Sequence, residues 1–296
     1  MIYLNSRKIA PYLFIAPILI LIVYFRVVPI GYSIWLSFMR YNFIRPDASV
    51  FVGFDNFTRM ATDEFLWRSL RNTVYYVVGT LGIGIILSLI LALLICEPWF
   101  KFQAAARSIM FVPFIMSMVI TGLIWSYIYQ PDFGILNVIL HRLGLPTQRL
   151  LGNPRQAMWA IIIMVVWRDL GFRVTIWSAG ILSISQEYLD AARIDGANWF
   201  QELFFIRLPL LKPVFMFLTV LGIIGAFQAF ESVYVLTAGG PARSTEIIVW
   251  TIWNQAFSRY NMGYAAAIAL MLFAIIIGFT LLQMKLIYGK KEEDHA

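Results

Sequence analysis

The chain is short of the residues that build metal and redox sites. A single cysteine, Cys96, excludes an intrachain disulfide and any cysteine-rich metal centre. Two histidines, His141 and His295, leave almost no material for a histidine-ligated metal or a proton relay. Charge is scarce as well: 13% of the 296 residues are Asp, Glu, Lys or Arg, against roughly a quarter in soluble chains. That leaves too little polar surface to hold the chain in water. No G-x-x-x-x-G-K-[ST] loop occurs, so ATP phosphates cannot be cradled by that route. No repeat of fixed period and no attached soluble segment is visible.

What fills the chain instead is apolar: 60% hydrophobic residues and a mean hydropathy of +0.76. Six apolar runs, near 12–35, 73–96, 108–129, 157–182, 213–236 and 263–284, reach the roughly 20 residues that a helix needs to cross a hydrocarbon core of ~30 Å. None alternates with period two, so helices that satisfy their own backbone groups are expected rather than a barrel. The expectation is an all-α integral membrane protein, one domain over 1–296, lying in the lipid bilayer and binding no nucleic acid. The start, with Arg7 and Lys8 before an apolar stretch, imitates a signal peptide. The run continues past Arg26 without a small-x-small site, and reads as a retained first helix.

With six spans, the loops on each side carry ten basic residues, so the count does not orient the chain. All six lysines fall on the side of the termini, which favours that side as cytoplasmic. Within the spans, Gly84, Ser88 and Ala92 recur at four-residue spacing, a packing pattern, and Pro113 is expected to kink the third span. Charges there cost about 2.5–3.5 kcal/mol each at mid-membrane, so they face a cavity or a partner. Arg168, Asp169 and Arg173 in the fourth span and Glu231 in the fifth are the ones to explain. Asp169 and Arg173 share a helical face. Two readings stay open for them: an internal ion pair, or, with Trp167, Phe172 and Trp177 nearby, a carbohydrate site of aromatic faces and charged groups.

The connection 183–212, between the fourth and fifth spans, contains DAARIDGANWFQELFFIRLP. Ser183 with Gln186 fits a capping box, Gly196 suits a left-handed helix end, and Asn198 can cap a second short helix. Pro209 and Pro213 are expected to stop that helix and open the fifth span. Small Ala191 and Ala192, charged Asp190, Arg193 and Asp195, and apolar Trp199 and Phe200 fit docking to a partner. The same composition also fits a hairpin resting on lipid headgroups.

The stretch runs Asp190-Ala191-Ala192, three residues, Gly196, nine residues, then Ile206-Arg207-Leu208-Pro209. In this spacing it resembles the Glu-Ala-Ala loop of permease subunits of binding-protein-dependent ABC importers, with Asp190 where that family usually has Glu. The resemblance extends through FVGFDNF (51–57), LRNTVYY (70–76), RSIMFVPF with GLIWSYIYQPDFGILN (107–137), WRDLGF (167–172) and FESVYVLTAGGP (230–241) with Thr245. It looks closest to the maltose-type carbohydrate-uptake permeases.

The resemblance implies a type I importer fold in which 183–212 is a cytoplasmic coupling loop, so that both termini are cytoplasmic in a bacterial or archaeal inner membrane. ATP and Mg would sit on two partner ATPase subunits, and this chain would bind no cofactor. A second, homologous permease subunit and an extracytoplasmic solute-binding protein would complete the assembly. ATPase coupling would fall to Asp190, Ala191, Ala192, Arg193, Asp195, Gly196, Trp199 and Phe200. The sugar pathway would take Trp167, Asp169, Gly171, Phe172 and Arg173 from the fourth span, and Phe227, Gln228, Phe230, Glu231 and Tyr234 from the fifth. The cargo implied is a di- or oligosaccharide. Arg168 and Arg173 leave room for a glycerophosphate-type solute, and a membrane-embedded enzyme would have only Asp169 and Glu231 to work with.

This reading predicts that the chain co-purifies with an ATP-hydrolysing subunit and that deleting residues 190–200 releases it. Recovery of a stable, active single-subunit protein would overturn it.

Overall fold

A computed structural model describes residues 6–43 and 45–288. The charged tail 290–296, with Lys290, Lys291 and His295, and the side chains of Arg7 and Lys8 lie outside the described residues. The chain is helical almost throughout, as expected of an apolar sequence whose backbone must bond to itself. In order come α1 (Ser6–Ile22) and α2 (Val28–Ser37), joined by a π-helical turn; β1 (Met39–Arg40) and β2 (Val50–Phe51); α3 (Asp55–Thr62), α4 (Glu64–Cys96), α5 (Gln103–Ile115), α6 (Met118–Ile128), α7 (Ile135–Arg142) and α8 (Ala157–Leu182). Then follow α9 (Gln186–Ile194), α10 (Trp199–Glu202), a π-helical turn Leu203–Arg207, α11 (Leu208–Leu210), α12 (Lys212–Phe227), α13 (Glu231–Leu236), α14 (Ile248–Trp253) and α15 (Met262–Tyr288).

Contacts divide the chain into two compact units, residues up to 64 with 251–274, and 65–250 with 275 onward. In the first, β1 and β2 form a short antiparallel hairpin, Met39 opposite Phe51. Asn56 Nδ2 donates to the carbonyls of Ser37 and Met39 at 2.8 and 3.0 Å, and Tyr264 donates to Asp63 at 2.7 Å beneath the Arg59 guanidinium. These bonds close a polar cavity of about 620 Å³ lined by Arg40, Asp55, Arg59 and Tyr264. Large side chains from Tyr12 to Trp35 stay exposed along α1 and α2, as suits helices whose solvent is lipid.

The second unit holds the core. α8 is its centre, burying Ile161, Ile162, Met164, Val174 and Trp177 almost completely. The closest approach is at Gly171, where an added Cβ would lie 1.8 Å from the Met110 carbonyl of α5. Only a residue without a side chain lets these two backbones touch. The Gly84, Ser88 and Ala92 stripe of α4 is buried, as its spacing suggested.

Three spans are single apolar helices, Pro11–Ser37, Glu64–Cys96 and Met262–Lys285. The fourth expected span matches α8 end to end; at 26 residues it is about 39 Å long, sufficient to cross, and it carries three charges. The third and fifth are not continuous. α5 and α6 meet at a break bent by 97°, just past Pro113, whose carbonyl accepts from Met116 N at 3.2 Å. The fifth expected span, 213–236, breaks at Gln228–Phe230 between α12 and α13. Irregular backbone at membrane depth is tolerated where it lines a cavity, and both breaks do so.

Two local expectations in the connection are corrected. Ser185, not Ser183, is the N-cap of α9, accepting from Glu187 N at 3.3 Å, while Ser183 Oγ turns back to the Gly180 carbonyl. Pro209 does not stop the helix: it sits in the first turn of α11, where its missing N–H costs nothing, and the 61° bend comes at Leu211.

Gly171→Val should be among the most damaging single changes in the core. Backbone cannot rotate away, so the variant is expected to lose about 3 kcal/mol or more, read as a lowered Tm of the detergent-solubilised protein. A variant as stable as wild type would mean that α5 and α8 do not approach as described.

Candidate functional site

The breaks of the third and fifth spans open onto one cavity of about 430 Å³ in the second unit, walled chiefly by α4, α8 and α12 and closed in by Phe114 of α5, Met118 of α6 and the start of α13. Six of the ten pathway residues proposed from sequence line it: Asp169, Phe172, Arg173, Gln228, Phe230 and Glu231. The other four stand outside its lining. Trp167 meets Trp125 edge-on at 5.5 Å, and Phe227 is buried against Phe279 at 5.6 Å. Gly171 serves the helix crossing, and Tyr234 stacks on Phe230 at 5.1 Å, buttressing a lining ring from behind.

The charges in α8 are committed to specific partners. Arg168 donates to Asp169 Oδ1 at 2.8 Å, and its Nε and Nη2 reach the Met116 carbonyl at 3.3 Å each, with Nη2 also 3.4 Å from the Phe114 carbonyl. Those carbonyls are the ones freed where α5 ends, so the guanidinium caps a broken helix from across the core. Arg173 lies 3.8 Å from Asp169 and donates to the Thr80 carbonyl of α4 at 2.9 Å. Its guanidinium occupies the space where Gly84 would otherwise carry a Cβ, only 1.5 Å away. The internal ion pair and the cavity lining, open alternatives in the sequence, are therefore the same residues.

Glu231, at the start of α13, makes no ion pair among the described residues and stays exposed to the cavity. Phe172 stacks on Phe114 at 4.7 Å, giving the cavity an aromatic wall. Two guanidiniums and two carboxylates leave the lining without net charge. The sequence did not single out Phe114, Tyr76 or Thr80, which also line it; on helices this apolar they carry no signal that separates lining from packing.

LRNTVYY of α4 and the segment after α13 meet. Asn72 Nδ2 donates to the carbonyls of Arg243 and Glu246 at 3.2 and 3.0 Å, and Thr73 Oγ1 accepts from Ile248 N at 2.8 Å. Thr245 Oγ1 donates to the Gly240 carbonyl at 2.7 Å.

The loop 183–212 is a helical hairpin turned at Gly196, whose φ of +83° only glycine adopts without strain. Asn198 and Gln201 form a reciprocal capping box on α10. Ile194, Phe200, Phe204 and Phe205 are exposed, as are Asp190 and Ala191, while Ala192 is half-buried. Arg193 binds Asp190 at 3.4 Å and Glu202 at 3.2 Å; Arg207 Nε binds Glu202 at 2.7 Å, and its Nη1 reaches Glu97 at 3.2 Å. Glu202 and Arg207 are 4% and 8% exposed, whereas Arg193 and Asp190 are 50% and 56% exposed. Sequence reading missed Glu97 and Glu202, which lie 105 positions apart; no local pattern announces such a pair.

Apolar helices broken around a cavity that carries two arginines and two carboxylates are the architecture expected of a solute permease. The chain belongs to the family of binding-protein-dependent transport system inner membrane components, which matches residues 8–286. It is a multi-pass permease subunit of an ABC importer, not an enzyme. It is 33% identical to the trehalose/maltose transport system permease protein MalF of Thermococcus litoralis over 93% of this chain and 92% of that one. The sn-glycerol-3-phosphate transport system permease protein UgpA of Agrobacterium fabrum is also 33% identical, over 95% of each chain. A bacterial alginate ABC transporter, solved in complex with a pentasaccharide-bound periplasmic protein, shares the fold with a TM-score of 0.84 over 96% of both chains, at 23% identity. The maltose-type resemblance read from motif spacing thus holds along the chain.

Removing one member of the buried pair should cost far more than removing the exposed one. Glu202→Ala leaves the buried Arg207 guanidinium with Glu97 as its one carboxylate partner and is expected to cost about 3 kcal/mol, whereas Asp190→Ala should cost under about 1 kcal/mol. Thermal unfolding of the two purified variants checks this; equal losses would mean that the pair is not buried.

Proposed function

We propose that this subunit forms half of the translocation pathway for a neutral di- or oligosaccharide, held in the cavity between α4, α8 and α12. The observation that carries the reading is the charge state of that lining. The guanidiniums of Arg168 and Arg173 are engaged by Asp169 and by backbone carbonyls, and Glu231 adds a carboxylate free of any ion pair among the described residues. A phosphate ester would need cations with donors to spare. A polyol needs the opposite: acceptors and amides such as Glu231 and Gln228 for its hydroxyls, and ring faces such as Phe172 and Phe230 for its C–H surface. Trp167, Gly171, Phe227 and Tyr234 then support the lining rather than touch solute.

The loop 190–209 docks on a cytoplasmic ATPase subunit, which holds ATP and Mg, while this chain binds no cofactor. Asp190, Ala191, Ala192, Arg193, Asp195, Gly196, Trp199 and Phe200 form the contact, supported by the exposure of Ala191, Gly196, Ile194, Phe200 and Phe205 beside charges. Both termini are then cytoplasmic. A second permease subunit closes the pathway, two ATPase subunits drive it, and an extracytoplasmic solute-binding protein delivers the sugar.

The second reading, a glycerophosphate-type solute, rests on the same two arginines. It requires that the solute displace Asp169 from Arg168 or Arg173. Competition distinguishes the two. In proteoliposomes carrying the complete importer, Gln228→Ala and Glu231→Gln are each expected to lower sugar uptake about tenfold, roughly the worth of one hydrogen bond to the solute. Uptake unaffected by both variants, but inhibited by glycerophosphate, would replace the sugar reading with the anionic one.

A further inference from the structure

Beside α5, α6 and α13, three longer helices wall the cavity, α4, α8 and α12, and the loop is joined by the chain to only two of these three. It runs from the end of α8 to the start of α12. The third wall, α4, contributes Tyr76 and Thr80, and its Thr80 carbonyl holds Arg173. It reaches the loop through side chains. Glu97 is the first residue beyond α4, and its carboxylate takes Arg207 at 3.2 Å and the Trp199 indole N–H at 3.4 Å. From Arg207 the chain of charges continues through Glu202 and Arg193 to Asp190, alternating in sign at every step. It is half-buried at Glu97, buried at Arg207 and Glu202, and open to solvent at Asp190, where the motif begins. The arrangement is a linkage with one end fixed in the protein and the other presented outward.

We propose that Glu97 is a positioning residue for energy coupling: through Arg207 and Glu202 it makes α4 move with the loop, so that α4, α8 and α12 answer to one displacement. This rests on the reading of the loop as the ATPase dock, and it goes beyond that reading by assigning a residue far from the motif. An exposed ion pair in water would not carry such a load; Glu202 and Arg207 are nearly dry, and the Arg207 guanidinium forks across Glu202 and Glu97 as a lysine could not.

The test uses the complete importer in proteoliposomes, comparing wild type with Glu97→Gln and Glu97→Asp. Two quantities are read: solute imported per ATP hydrolysed, and ATPase retained on the tagged permease. Glu97→Gln is expected to keep the ATPase bound and hydrolysing while import per ATP falls about fivefold or more. Glu97→Asp, which keeps the charge, restores most of the ratio; a structural role alone would change stability without changing this ratio. Should Glu97→Gln fail to assemble, Arg207→Lys decides, since it keeps the charge and loses the fork, and its ratio should fall likewise. An assembled Glu97→Gln, or an assembled Arg207→Lys if the first is lost, that imports with the wild-type ratio overturns the proposal. Deletion of 190–200 separates the two ideas: if the ATPase stays bound without those residues, the dock itself is misassigned, whereas its release alongside a wild-type Glu97→Gln ratio rejects the linkage alone.

Discussion

The guanidinium of Arg168 is the piece on which the cavity depends. A helix broken inside a bilayer exposes carbonyls that no water is there to satisfy, and each would cost several kcal/mol. Arg168 meets the carbonyls of Phe114 and Met116, and Asp169 balances its charge. The 97° bend after Pro113 is thereby held open, and a polar space can exist among helices that are otherwise oil. Arg173 repeats the device on the opposite side, spanning Asp169 and the Thr80 carbonyl over a glycine. Neither arginine is free to act as a simple anion trap, which is why charge alone would mislead a guess at the cargo.

The same logic governs the loop. Its outer face is a mixture of small, charged and aromatic groups that could belong to any surface hairpin. What distinguishes it is the inner face, where Glu202, buried to 4% exposure, is bracketed by two arginines. A buried carboxylate with one partner missing is a large liability, and with both present it becomes a rigid joint. The loop is stiff toward the end of α4 and open away from it.

Much of this was legible in the sequence, because its causes are local. Run length and hydropathy placed α8 to the residue and α4, α15 and the first helix closely. Gly196 and Asn198 announced their backbone conformations through the ordinary preferences of glycine and asparagine. Of the six expected residues that line the cavity, Asp169, Arg173, Gln228 and Glu231 stand out because charge and amide groups are conspicuous in apolar helices, whereas Phe172 is marked only as an aromatic beside the charges and Phe230 only by the resemblance. Capping was misplaced by two residues, since Ser183 and Ser185 offer equal hydroxyls and only the path of the chain chooses between them. The break at Gln228–Phe230 was invisible: it contains no proline, and its cause is the cavity that tertiary packing creates. Pairs such as Glu97 with Arg207, or Asn72 with the carbonyls of Arg243 and Glu246, join positions more than a hundred residues apart and leave no periodicity to read.

α4 is 33 residues without a break, about 50 Å of helix. Asn72 and Thr73 grip the segment after α13 near one end, Thr80 and Gly84 seat Arg173 near the middle, and Glu97 follows the other end. A stiff member fastened at several heights cannot be an input at one of them and an output at another by design; thermodynamic linkage makes it both. Whatever free energy an event at the Asn72 end imposes on the Glu97 end, an event at the Glu97 end returns in equal measure. The unbroken helix thus makes the two ends of this subunit mutual effectors, with neither the master.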